Sequence, residues 1–272
     1  MRFRTPSPQH RPSPRLAAWL PAPALGLGLG LGAALALSLL PSAQAMPTGA
    51  PLWGITGTGT LPTTETVPQR ETEVGLAYEK VNPRDGEDVH FFPIGTATFG
   101  LKRAEIGLGA LRERVNDPFL NQTFSTTYAT LHGKYRAYQD PARRLAVAVG
   151  AHYLDFGRVP GSVLSLYAVG SKALTRPASQ VQVLADVGAL YNHIAGRVRD
   201  DNVRPYASLE GRRGGFSLSA DYTPRAGQSV QIYSFAARYQ KDRYGLQLGY
   251  GQFRGTDEKL FVGASYRFGG AR

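Results

Sequence analysis

Cysteine is absent from all 272 residues. No disulfide can brace the fold, no thiolate can serve as nucleophile or metal ligand, and no lipid can be attached at a processed cysteine. Acidic residues are scarce, 20 against 31 Lys and Arg, and none precedes Glu65. Beyond residue 45, helical spacing of apolar residues never lasts more than a turn or so, which argues against helical bundles and α/β layers. Phosphate loops, nucleophile elbows and metal-ligand spacings are missing as well; TGTGT, Thr56 to Thr60, leads into no helix. No cofactor and no metal is expected. The basic excess is spread thinly without a Lys/Arg block, so a nucleic-acid partner is not expected either.

What is present begins with Arg2, Arg4, Arg11 and Arg15, followed by an apolar run from Leu16 to Leu40 and then PSAQA, with small residues Ala43 and Ala45 at the positions a signal peptidase reads. This pattern predicts a cleaved signal peptide over 1–45; the alternative is a retained membrane helix, since the run approaches the ~20 residues that span a bilayer, although Pro21 and Pro23 shorten it. Its loss takes four arginines and no acid, lowering the formal charge from +11 to +7. Residues 46–70 are rich in Pro, Gly and Thr without lasting periodicity, and read as an extended lead-in to a single domain over 71–272.

From residue 71 the chain resolves into twelve runs of period two, near 71–80, 91–101, 104–112, 123–136, 143–154, 162–173, 181–193, 202–212, 215–222, 229–240, 244–252 and 259–268. Longer connections alternate with tight ones, with loops near Asp85, Asp117 and Asp201 and turns at Lys102, Arg213 and Lys241. An even number of strands with alternating connections predicts an all-β, up-and-down antiparallel transmembrane β-barrel. One face of each run is apolar, and the odd runs mostly finish on a tyrosine: Tyr78, Tyr153, Tyr191, Tyr222 and Tyr250. Even runs carry Phe99, Tyr135, Tyr239, Tyr266 and Phe268 toward their turn ends. Rings at two heights with aliphatic residues between them describe the two interfacial girdles of a membrane-spanning sheet.

The opposite faces are small and sparsely charged, as in Gly75, Ala77, Gly107, Gly109, Gly249 and Gly251. On a soluble exterior such glycines would weaken strands without aiding solubility. Facing a lumen, they leave room for water or for long side chains. The same faces place Lys134, Arg136, Arg144, Arg212, Arg238 and Arg267 inward near the turn end, against Glu73, Glu105 and Glu210. A positive mouth is the expectation, fit for small anionic solutes or an acidic glycan. The alternative is a narrow lumen in which these charges neutralise one another. The runs at 162–173 and 181–193 are partly apolar on both faces.

The stretch WGITGTGTLPTTETVPQRETEVGLAYE, Trp53 to Glu79, and the later FGLKRAEIGLG resemble the opening of YjbH-like outer-membrane β-barrel proteins. The match covers about the first quarter of the chain after residue 45. The resemblance implies a non-enzymatic outer-membrane barrel, in some members associated with exopolysaccharide export or envelope maintenance. Where many such barrels end on a C-terminal Phe, here Phe268 is followed by GGAR.

The expected function is therefore a porin-like passage or an envelope scaffold in the outer membrane of a diderm bacterium. Its expected partners are outer-membrane lipids and the barrel insertion machinery. A barrel enzyme of lipase or protease type acting at the loop rim is the competing class. None of His90, His132, His152 and His193 lies in a His-x-Ser arrangement, but Asp88 with His90, or Asp200 with His193, could form a loop-end dyad.

Overall fold

The computed structural model describes residues 57–58, 61–82, 88–117, 122–157, 161–196, 200–225, 231–253 and 257–269. The predicted signal peptide, the loop at Asp85 and the final GGAR lie outside or at the edge of these residues. Twelve strands form: β1 (Glu71–Asn82), β2 (Asp88–Gly100), β3 (Ala104–Asp117), β4 (Gln122–Asp140), β5 (Leu145–Asp155), β6 (Gly161–Ala173), β7 (Gln182–Gly196), β8 (Asp200–Arg213), β9 (Phe216–Thr223), β10 (Ile232–Lys241), β11 (Tyr244–Phe253) and β12 (Asp257–Gly269). Each pairs antiparallel with its sequence neighbours, and β1 pairs with β12 to close the barrel. Closure leaves no unpaired edge, the condition for carrying a sheet through hydrocarbon.

The alternation of long and short connections is weaker than the sequence suggests. Strands consume much of the expected loops: β3 runs to Asp117, and Asp201 lies within β8. The segment 174–181, at the turn end, is among the longer connections. Hydrogen-bonded pairing continues wherever two polar segments can follow the register of their strands, and loop-like composition does not prevent it.

Burial runs opposite to that of a water-soluble protein. Leu76, Leu108, Leu131, Val187, Val203 and Leu246 are all more than half exposed, whereas Glu73, Glu105 and Glu210 are almost wholly buried. An apolar band of this extent belongs in lipid. Ring pairs border it at both heights. Tyr222 stacks on Tyr233 at 5.1 Å and Tyr78 meets Phe92 at 6.1 Å on the loop side; Phe216 packs on Tyr239 at 4.5 Å and Tyr244 on Tyr266 at 5.0 Å on the turn side. Phe99, Tyr135, Phe268, Tyr153, Tyr191 and Tyr250 are exposed on the same outer face. The chain is a membrane-spanning β-barrel.

The small inward residues have a different use from the one expected of them. Gly107 stands directly across from His132, Gly150 from Tyr167, Gly188 from Tyr206 and Gly249 from Phe261. In each pair a Cβ on the glycine would strike the partner's ring. The glycines let inward rings lie flat against the wall, where water or long charged chains were expected. Toward the loop end Ile94, Leu111, Ala236 and Phe261 form a buried apolar cluster inside the barrel, with Phe91, Tyr128 and Leu154 packed against it.

Candidate functional site: the plugged turn-end lumen

The lead-in segment does not lie outside the barrel. Gly57 bridges Pro62 in antiparallel fashion, and the Thr58 amide donates to the Leu61 carbonyl at 3.0 Å, so the chain reverses here. From this hairpin tip, residues 61–70 run down the lumen to the turn-end rim, where the Arg70 amide donates to the Gly100 carbonyl at 2.9 Å. Gly100 has no room for a side chain because the carbonyls of Val67 and Pro68 pass against it. Thr58, Leu61, Thr63, Thr64 and Val67 are all buried.

The apolar second face of β6 and β7 is the seat of this plug. Leu61 packs with Ala148, Tyr167, Val169 and Tyr206, and Leu190 lies against the same cluster. The Tyr206 hydroxyl donates to the Pro62 carbonyl at 3.1 Å.

Every sequence-predicted lumen cation projects inward or to the rim, and most of them hold the plug. Lys134 donates to the Thr63 carbonyl at 3.2 Å; Arg136 donates to the Thr64 carbonyl at 3.1 Å and to the Thr66 hydroxyl at 2.9 Å. Arg212 grips Glu65 with two parallel bonds of 2.6 and 2.9 Å. Arg238 reaches the tip, donating to the carbonyls of Gly57 and Thr58 at 3.0 and 3.2 Å. Arg144 stands in a turn at the rim and donates to Gln182 at 3.1 Å.

The expected positive mouth is largely cancelled. Lys134 pairs with Glu105 at 3.2 Å, Arg212 with Glu210 at 2.6 Å, and Arg267 with Glu73 at 3.0 Å and Glu71 at 3.6 Å. With Glu65 added, the six cations named above face five carboxylates, and the buried Asp186 adds a further inward acid beside Ser171 and Ser208. Such pairing follows from burial, since an isolated charge away from water would cost several kcal/mol, of order 3–5 when a partner is removed. Glu65 and Glu71 are the members that sequence reasoning missed. Glu65 carried one signal: it is the first acidic residue of the chain.

Between the plug and the wall of β4 to β6, a groove of about 470 Å³ opens at the mouth, lined by Glu65, Lys102, Arg136, Gln139, Arg144 and Ser171 among others.

One of the two loop-end Asp/His pairs forms as read: His90 Nε2 lies 3.2 Å from Asp88 and its Nδ1 lies 2.7 Å from the Tyr78 hydroxyl. His193 Nδ1 contacts Asp201 at 2.5 Å, and the side chain of Asp200 lies outside the described residues. The pairs sit on the outer wall with Tyr78 and Tyr191, away from the lumen. Among the described residues neither imidazole has a serine partner, and none forms a metal-binding cluster of three or more ligands.

No protein-family model and no curated protein matches the chain. Among solved structures it is similar to a KdgM porin in complex with disordered oligogalacturonate, at 10% identity and TM-score 0.48, over 72% of this chain and 99% of that one. It is also similar to the outer membrane protein Omp33 of Acinetobacter baumannii, at 7% identity and TM-score 0.44, over 74% and 99%. The translocator domain of the autotransporter NalP from Neisseria meningitidis is matched at 11% identity and TM-score 0.43, over 75% and 91%.

Proposed function

We propose that the chain is a plugged, porin-like barrel of the outer membrane that receives small anionic solutes or an acidic glycan at its turn-end mouth. The observation carrying this reading is the groove beside the plug, where Lys102, Arg136 and Arg144 stand around a solute-sized space. A carboxylate or phosphate entering it meets the positive charge of the Lys102 ammonium and the Arg136 and Arg144 guanidinium groups, which strengthens its hydrogen bonds. The plug is not part of the wall: its removal breaks no strand-to-strand ladder, so the lumen can widen without unfolding the barrel. Loops then face outward and turns face the periplasm, after export on the signal peptide and placement by the insertion machinery.

A second reading, an envelope scaffold linked to exopolysaccharide export as the YjbH-like resemblance implies, is favoured by the apolar packing around Phe261, which narrows the lumen toward the loop end. Neither reading asks the chain for catalysis.

Planar-bilayer recording separates the two. The intact chain is expected to conduct weakly, and a chain lacking residues 57–69 to conduct readily, with a reversal potential that favours anions under a salt gradient. Adding Arg136→Gln, Arg212→Gln and Arg238→Gln to that shortened chain should weaken or reverse the preference, since lumen charges tune selectivity. Silence after plug removal would favour the scaffold, and cation selectivity would contradict the anionic assignment.

A further inference from the structure

Strands β1 to β4 carry a polar row on their membrane-facing side at the loop end. Lys80 lies across from His90, His90 from Arg114, and Arg114 from Ser125. Neighbouring strands are about 4.8 Å apart, so the three nitrogen-bearing heads fall within a span of about 10 Å. Arg112 follows one step below on the same face.

A bulge opens a pocket here. Phe92 and Pro93 together oppose a single residue on each neighbour, Tyr78 and Arg112. The resulting cavity, about 450 Å³, is lined by Tyr78, His90, Phe92, Arg114, Asn116 and Thr123. Its acid is already engaged: Asp88 takes Lys80 at 3.0 Å and His90 at 3.2 Å. Arg112 donates to the Ser125 hydroxyl at 2.8 Å, and the Arg114 guanidinium has no partner among the described residues. Directly below, in the same strands, lie the exposed Leu76, Leu108 and Leu131.

We propose that this pocket binds the phosphate headgroup of a membrane lipid, with the acyl chains lying along Leu76, Leu108 and Leu131. Charge and continuity select that occupant. The cations exceed the acids on this part of the wall, guanidinium forks match phosphate oxygens, and the pocket opens onto the lipid-facing surface. Tyr78 and Phe92 mark the height at which aromatic side chains meet headgroups. A soluble anion would gain the charge contacts but none of the apolar ones. The site is independent of whether the lumen conducts.

Native mass spectrometry of the full chain in a non-ionic detergent tests it, with dihexanoyl phosphatidate, dihexanoyl phosphatidylcholine and inorganic phosphate as probes. Phosphatidate is expected to be retained as one specific adduct, more strongly than the zwitterionic lipid. Arg112→Gln with Arg114→Gln should weaken retention at least tenfold, while Lys102→Gln at the opposite rim leaves it unchanged. Arg112→Lys with Arg114→Lys keeps the charge and loses the fork, and should weaken it severalfold even if the glutamine pair fails to fold. Equal retention by the substituted chains, equal binding of phosphatidylcholine, or displacement by inorganic phosphate at the lipid's own concentration would each overturn the assignment.

Discussion

Replacing Glu105 with Ala is expected to lower the stability of the folded barrel by about 3–5 kcal/mol, the range for removing one partner of a buried ion pair. Glu105 and Lys134 have no exposed side-chain surface, with the ammonium 3.2 Å from the carboxylate. The other carboxylate oxygen accepts from the Val67 amide at 2.9 Å, which ties the wall to the plug. Truncation would leave a buried ammonium without this counter-charge and a buried amide without this acceptor. Urea unfolding in lipid vesicles measures the loss. The double substitution Glu105→Gln with Lys134→Met should recover most of it, because removing both charges also removes their desolvation cost. A loss below about 1 kcal/mol for Glu105→Ala would mean that the pair is hydrated and the mouth open to water.

Arginine at Leu108 should cost about 2–4 kcal/mol in the same measurement, the cost of a cation on the lipid face near the bilayer midplane. Leu108 is 62% exposed and lies midway along β3, between Ala104 beside Tyr135 at the turn girdle and Arg112 at the loop girdle. An unchanged stability would show that this face looks into water, and with it the direction of every strand face would be reversed.

The strands were legible because lipid contact imposes a strict alternation, and only one face of each run had to be recognised. All twelve sequence-predicted runs correspond to observed strands, and the apolar rows through Leu76, Val149, Val187, Leu218 and Leu248 point outward as read. Inward placement of Lys134, Arg212 and Arg267 followed from the same alternation. The plug was not legible, because its ties are mostly to backbone carbonyls, as at Thr63, Thr64, Gly57 and Thr58, and every sequence has those. Residues 57–69 need no periodicity to fit a wall already built around them.

Two traces of the plug were nevertheless present in the wall. Inward Tyr167, Val169 and Leu190 made the sixth and seventh runs apolar on both faces, because one face meets lipid and the other meets Leu61. Inward glycines opposite inward rings marked a packed lumen, since a water-filled one has no need to flatten Tyr206 or Phe261 against its wall. Charge counting failed for a related reason: the cations were read along the strands, while Glu65 lies outside them.

The most direct test of the plugged lumen uses the absence of native cysteine, which leaves a single introduced thiol as the sole reactive group. Val67→Cys and Lys102→Cys chains, folded into vesicles, are exposed to a water-soluble maleimide. Val67 is 1% exposed inside the barrel, and Lys102 is exposed at the turn. The expected result is prompt labelling at 102 and labelling at 67 only as fast as the plug leaves or the barrel unfolds. Equal labelling rates at both positions would contradict the internal hairpin.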